Sequence, residues 1–158
     1  MGAKFSTRPG LLLQSDSRVD TSVATTVNTI PLDDTVPLNT EGEEFMTLTF
    51  TPKKINSKIM IDVTWIGSHS AAVYNIIVAL FVGTNCLKSA VGSANSANQM
   101  LTINFRAFYD TASGPVTFRV RAGSPQAGTL TFNGFGGNRK LGGSLGSRID
   151  CLELSAYS

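Results

Sequence analysis

The stretch TIPLDDTVPLNTEGEEFMTLTFTPKKINSKIMIDVT, residues 29–64, decides the fold class of this chain. A polar region marked by prolines leads into two runs in which apolar and polar residues alternate. The apolar members of the two runs share one face each: Met46, Leu48 and Phe50, then Ile59, Ile61, Val63 and Trp65. A period of two is typical of strands that bury one face. Turn-forming residues 51–57 separate the runs, so the stretch predicts two consecutive antiparallel strands.

The same pattern continues to the end of the chain. Residues 76–82, IIVALFV, form an apolar run whose length and β-branched residues predict a strand covered on both faces. Further strand-like runs follow at residues 101–110, 116–121, 129–133 and 149–154. No segment shows a convincing helical stripe. We therefore predict an all-β chain, in which residues 29–158 form an antiparallel two-sheet β-sandwich that is jelly-roll-like.

Composition narrows the functional classes. The chain has 158 residues, enough for one domain that folds without disulfide bonds. Charged residues make up only 15% of the chain, below the ~25% of ordinary domains. This composition is common in proteins that pack against copies of themselves or on a particle. With a net charge of +2 we expect no nucleic-acid partner, and without a long apolar segment we expect no membrane partner.

Residues 1–28 are predicted to form an extended N-terminal arm, because they lack periodicity and mix small polar residues with scattered charges. Four apolar residues stand out in this arm: Phe5, Leu11, Leu12 and Leu13. Exposed apolar clusters of this kind favour association. These side chains either tuck against their own domain or bind a partner, and the sequence favours neither alternative.

Two features resemble active-site chemistry without completing it. His69 is the only histidine, and no GxSxG element holds a nucleophilic serine for it. We interpret it as a solvated loop residue. Five carboxylates lie close together in the sequence, but their spacing matches no EF-hand loop and we interpret them as a solvated turn: Asp33, Asp34, Glu41, Glu43 and Glu44. We therefore predict no enzyme activity, no metal and no cofactor.

The glycine-rich segment GFGGNRKLGG, residues 134–143, has neither of the spacings that cradle phosphates, and no helix follows it. Dense glycines permit positive φ angles and close backbone approach. We predict a tight loop near a symmetry axis or a neighbouring molecule. Its candidate contact residues are Phe135, Arg139 and Lys140, of which the two cations suit an acidic surface.

The two cysteines, Cys86 and Cys151, lie far apart in the sequence and form no CxxC pair. We interpret them as buried or half-buried thiols in a reducing cytoplasm rather than as a disulfide.

The words IPLDDTVPLNTEGEEF-x-TLTFTPK and SKIMIDV resemble a family of small bacteriophage virion-surface proteins, which are decoration or cement subunits on heads and modules in fibres. FRVRAG, FNG and R-x-LGG follow in the same order, at residues 118–123, 132–134 and 139–143. The resemblance covers roughly residues 29–154. Trp65 and the run from Tyr74 to Val82 are particular to this chain, and the resemblance does not extend to residues 1–28.

The resemblance implies a jelly-roll subunit, often trimeric, on the outside of a tailed-phage particle that assembles in the host cytoplasm. The implied partners are copies of the chain itself, as a homotrimer, and the major capsid protein or another virion protein. We expect a capsid decoration or cement subunit that stabilises the phage head. Phe5 and Leu11, Leu12 and Leu13 of the arm would then lie across neighbouring capsid subunits.

A second hypothesis is a receptor- or glycan-binding module of a phage head or tail fibre, since jelly rolls also serve as lectins. Four aromatic residues are candidates for stacking on sugars, although several lie within strand patterns and fit a core equally well: Trp65, Tyr74, Tyr109 and Tyr157. A hydrolase is the weakest hypothesis, because the chain has one histidine and no recognisable nucleophile motif.

Overall fold

The computed structural model describes residues 11–155. This range contains twelve β-strands and one short 3-10 helix at Leu141–Gly143. The strands are β1 (Leu12–Asp20), β2 (Ala24–Thr26), β3 (Glu43–Phe50), β4 (Lys58–His69), β5 (Tyr74–Val82), β6 (Asn85–Ala94), β7 (Leu101–Asp110), β8 (Val116–Gly123), β9 (Leu130–Phe132), β10 (Gly134–Phe135), β11 (Asn138–Arg139) and β12 (Ser147–Leu154). Within residues 11–155, no helix is long and apolar enough to cross a membrane.

The eight longer strands form two antiparallel sheets. The first sheet contains β1, β12, β4 and β7 in that order, and the second contains β3, β8, β5 and β6. Numbered one to eight along the chain, these strands run 1-8-3-6 and 2-7-4-5, which is the strand order of a jelly roll. The predicted fold class, an all-β antiparallel sandwich of jelly-roll type, is confirmed.

The long strand β4 has two partners along one of its edges. Its first part, residues 58–64, pairs with β12, and its last part, residues 67–69, pairs with β9. The chain before β3 follows the same division, because β1 pairs with β12 and β2 pairs with β9. Residues 12–26 therefore form one edge of the first sheet.

Asn133 lies where β4 passes from one partner to the other. Its backbone N–H donates to the carbonyl of Ile66, and its Oδ1 accepts hydrogen bonds from the backbone N–H and the hydroxyl of Ser147, at 3.0 and 2.8 Å. Its Nδ2 donates to the carbonyls of Asp20 and Ser22, at 2.7 and 3.0 Å. The side chain is fully buried, and its amide nitrogen and its amide oxygen each make two hydrogen bonds.

The core lies between the two sheets and is formed by the side chains that the alternation predicted. The inward residues of β3, β4 and β8 are buried, and the aromatic rings of Phe45, Trp65 and Phe132 contact one another. The run in β5 is covered on both faces, as expected, since residues 76–81 are all buried. Between residues 11 and 44, no residue belongs to the hydrophobic core cluster.

The N-terminal arm differs from the prediction in one respect. Residues 12–26 are extended, but they pair with their own sheet as β1 and β2 instead of leaving the domain. The physical reason is that β12 and β9 would otherwise present unpaired backbone groups at the sheet edge. Sequence periodicity did not indicate this pairing, because β1 buries almost no side chain.

Candidate functional site

Of the four arm residues, Phe5 lies outside the described residues. Leu11 and Leu12 are 69% and 51% exposed, and Leu13 is half-buried beside a bulge between β1 and β12. Leu12 and Leu13 belong to β1, so the backbone at these positions is held against its own domain while the Leu12 side chain stays open to solvent. Of the two alternatives that the sequence left open, contact with the chain's own domain applies to the backbone of this part of β1, and contact of the leucine side chains with a partner stays a prediction.

The outer face of the first sheet is the surface of β1, β12, β4 and β7 that points away from the core. Its register places Met60 between Leu152 and Phe108, and it places Leu154 opposite Leu12. Phe108 is 52% exposed. These five side chains form an apolar stripe across four strands: Leu12, Met60, Phe108, Leu152 and Leu154. Because outward positions of a sandwich are normally polar, such a stripe indicates a contact surface.

The charged residues of the outer face are paired within the face. Arg106 binds Asp62 through two hydrogen bonds, at 2.6 and 2.8 Å. The other two pairs join Arg148 to Asp150, at 2.6 Å, and Lys58 to Asp110, at 3.0 Å. Three cations thus meet three anions, and the face carries no net charge from these groups.

The ion pairs shift the acidity of their members in the expected directions. The Asp62 carboxylate raises the pKa of Arg106 through its hydrogen bonds and its charge. Partial burial raises the pKa of Asp150, but hydrogen bonds from Arg148 and Ser17, with the Arg148 charge, outweigh burial and lower it overall. Both shifts favour the ionised forms of Arg106 and Asp150.

Two shallow depressions lie on the outer face. One, of about 600 Å³, lies over β1 and β12 and includes Leu12 and Leu152 in its lining. The other, of about 400 Å³, lies over β4 and β7 and includes Asp62 and Arg106. Both are open to solvent, which suits contact with a broad surface better than capture of a small molecule.

The glycine-rich segment forms a small hairpin from β10 and β11. Gly136 and Gly137 turn the chain with φ angles of 57° and 74°, as in the turns of tight two-residue hairpins. The hairpin brings Phe135 and Lys140 together, with the Lys140 Nζ 3.8 Å from the centre of the Phe135 ring. Arg139 lies beside them and is exposed. The three candidate contact residues therefore do share one protrusion.

The five carboxylates of the acidic turn do not converge. Asp33 accepts hydrogen bonds from Thr35, which lower its pKa, and Glu41 accepts one from the Leu38 backbone N–H. Farther on, Glu43 accepts from the Asn28 side chain, and Glu44 pairs with Arg119 and Arg121. Among residues 11–155, no group of three or more metal-ligating side chains comes together. The carboxylates stabilise the local loop conformation instead.

His69 is the last residue of β4 and is buried, so its interpretation as a solvated loop residue is wrong. Its Nδ1 accepts a hydrogen bond from the Ala71 backbone N–H at 3.1 Å, and its ring packs on Tyr74 with the centroids 5.4 Å apart. Burial lowers its pKa, which favours the neutral imidazole. These contacts account for its position as a packed side chain.

Of the four aromatic candidates for sugar stacking, Trp65 and Tyr74 are fully buried and offer no face to a ligand. Tyr109 is half-buried and packs edge-on against Phe118. Tyr157 lies outside the described residues. A cleft of about 320 Å³ does occur beside the hairpin, and it is lined by Ser70, Asn98, Thr129, Thr131, Gly136 and Gly137.

Both cysteines are free thiols, as interpreted from the sequence. Cys151 is fully buried in the core, and burial, with the nearby charges of Asp16 and Asp150, raises its pKa to about 12. Cys86 is half-buried, and burial also raises its pKa.

Sequence reasoning missed the outer face. The available signal was the presence of apolar residues at the positions that alternation assigns to solvent, namely Met60, Phe108, Leu152 and Leu154. It also missed Glu153, which is fully buried and accepts four hydrogen bonds, because an acidic residue near the end of a strand gives no sign of burial.

Comparisons with known proteins locate the fold and nothing more specific. No protein-family model and no curated protein matches the sequence. Among solved structures, the chain is similar to dimeric latent PorU from Porphyromonas gingivalis, with 11% identity and a TM-score of 0.50. That match covers 98% of this chain but only 14% of the PorU chain. A second neighbour is the EclA C-terminal domain, a sugar-binding protein, with 12% identity, a TM-score of 0.41 and coverage of 72% and 74% of the two chains.

Proposed function

We propose that this chain is a structural subunit of a phage virion surface, a capsid decoration or cement protein that assembles with copies of itself as a homotrimer. The observation that carries the proposal is the apolar stripe on a face whose charges are already paired. A surface of this kind gains free energy when another protein covers it and does not select a strongly charged partner. The choice of a phage particle as the location, and of the major capsid protein as a partner, rests on the sequence resemblance to virion-surface proteins.

The size of the outer face suits repeated, moderate contacts. Four strands about 4.8 Å apart and eight residues at about 3.3 Å give a plane on the order of 500 Å². Two surfaces of that size bury on the order of 1,000 Å², near the lower limit for a specific interface. One such contact is modest, but a subunit that makes several contacts on a particle is held by their combined effect.

The test compares the number of chains on purified phage particles that carry either wild-type protein or Phe108→Ser. Removing the half-exposed ring from the stripe should weaken association by about tenfold, because about 1.4 kcal/mol of apolar burial is lost. We therefore expect fewer copies of Phe108→Ser per particle. Ile55→Ser is the control, since Ile55 is 61% exposed in the loop between β3 and β4 and is not a member of the stripe.

Quantitative immunoblotting of the particles gives the copy number. Wild type and Ile55→Ser should be present in equal, defined numbers. Absence of the wild-type chain from particles would overturn the virion proposal. Equal occupancy by Phe108→Ser would overturn the role of the stripe.

The alternative is a glycan-binding module. Its candidate place among the described residues is the cleft beside the hairpin, whose lining includes Ser70, Asn98 and Thr131. The glycan hypothesis relied on aromatic side chains that could stack on sugars, but Trp65 and Tyr74 are buried core residues. Binding on a glycan array that is lost in Asn98→Ala would favour this alternative over the structural role.

A further inference from the structure

The two N-terminal strands are attached to the sandwich without contributing to its core. The hydrophobic core cluster has no member in β1 or β2. The β1 side chains that point inward are polar: Gln14 donates to the Thr51 carbonyl at 2.8 Å, and Arg18 donates to the Thr47 carbonyl at 3.2 Å. Residues 12–26 are therefore held by backbone pairing and polar contacts, with little hydrophobic stabilisation of their own.

Residues 27–29 connect the strand pair to the body of the domain, where the Asn28 side chain donates to Glu43 of β3 at 2.7 Å. Ile30 is the first fully buried apolar residue, and it packs against Gly42 and Gly123, at both of which an added Cβ would lie within 2.8 Å of Ile30 atoms. The Gly42 backbone N–H also donates to the Thr29 carbonyl at 2.8 Å. Val27, just before this anchor, is 71% exposed. Residues 27–29 thus join a fixed point in the body to a strand pair that lies outside the core.

The strands β12 and β9, which pair with β1 and β2, also make side-chain contacts that are specific to the sequence of residues 12–26. Ser17 donates a hydrogen bond to Asp150 at 2.5 Å, Gln14 donates to Glu153 at 2.7 Å, and Asn133 binds the carbonyls of Asp20 and Ser22. An uncovered β12 edge would present its backbone N–H and C=O groups to any strand. These side-chain contacts select a strand with the sequence of β1, and a second copy of the chain carries the same sequence.

We propose that residues 12–26 are exchanged between copies of this chain, so that β1 and β2 of one copy pair with β12 and β9 of the next. This inference deepens the proposed function and rests on the assembly of copies. The connection from Thr26 to Ile30 spans at most roughly 14 Å, so exchange requires β9 of the next copy to lie within that distance of Ile30. Each copy donates one strand pair and receives one, so the exchange closes in a ring of three without any new type of contact.

The test uses two full-length, differently tagged chains that are expressed together. One carries Ser17→Cys and the other Asp150→Cys, and both carry Cys86→Ser. Residues 17 and 150 face each other in the β1–β12 pair, so their Cα atoms lie about 4.5–5.5 Å apart, within the range of a disulfide. Cys151 remains unchanged, because it is fully buried and its pKa of about 12 keeps the thiol protonated.

After mild oxidation, exchange predicts a covalent dimer that contains both tags. With random mixing, about half of the Ser17→Cys chains should be linked in this way. Thr49→Cys and Thr117→Cys on separate chains form the matched control, since these residues face each other in the β3–β8 pair inside one domain. That control pair should give no mixed dimer.

A single chain with both Ser17→Cys and Asp150→Cys shows whether the geometry allows the bond. If that chain forms the disulfide only within itself and the split pair forms no mixed dimer, the exchange is overturned. The mass of the protein in solution separates this failure from that of the proposed function. A trimer without cross-chain bonds contradicts exchange alone, whereas a monomer contradicts both.

Discussion

At the scale of single residues, Asn133 shows how one side chain joins separate parts of the fold. It connects the end of β1, the middle of β4 and the start of β12 through hydrogen bonds that are buried or part-buried. Its φ angle of 54° lies in the left-handed region, which asparagine tolerates better than most residues. Both properties fit asparagine at this position.

We predict that Asn133→Ala lowers the free energy of unfolding by about 3–5 kcal/mol, because buried partners lose their hydrogen bonds and alanine is strained at positive φ. Urea denaturation measures the change. Asn56→Ala is the control: Asn56 has a φ of 60° but is exposed, so this variant should cost only about 1 kcal/mol. Equal costs for the two variants would show that the buried hydrogen bonds contribute little.

At the scale of elements, the loop between β3 and β4 is tied to β12 by Glu153. The carboxylate accepts hydrogen bonds from the backbone N–H groups of Lys53 and Lys54, at 2.9 and 3.0 Å, and from Gln14 and Ser57. Burial raises the pKa of Glu153, but these hydrogen bonds outweigh burial and lower it below the usual value of 4.5. The ionised form therefore stabilises the folded state.

Because the folded-state pKa of Glu153 is lowered, its contribution to stability is complete above pH 4.5 and is lost as the pH falls through the folded pKa. We predict that Glu153→Gln is less stable than wild type at pH 7, and that the difference shrinks as the pH approaches 3. Unfolding free energies measured in urea between pH 7 and pH 3 provide the check. A difference that does not change with pH would contradict this role of the carboxylate.

The elements also show how far the sequence could predict the structure. Strands β3, β4, β7, β8 and β12 were predicted because each places apolar side chains in the core at a period of two, and β5 was predicted because its apolar run is continuous and buried on both faces. Strands β1 and β6 were missed. Both lie at sheet edges and expose most of their side chains, so backbone pairing defines them and leaves no periodic signal.

At the scale of the whole molecule, the sequence predicted the sandwich but only part of the candidate site. Phe135 and Lys140 are close in the sequence and meet at the hairpin, while their role as contact residues stays a prediction. The apolar stripe was missed because its members come from four strands, and only the register between strands brings them together. Register depends on long-range pairing, which alternation within one strand does not specify.

The mass of the wild-type protein in solution, measured by light scattering over a range of concentrations, tests the central claim that this chain is a self-associating structural subunit. The chain has a mass of 16.8 kDa. We predict a species of about three times that mass, which dissociates on dilution because each interface is modest. A particle of one chain mass at every concentration would contradict the account.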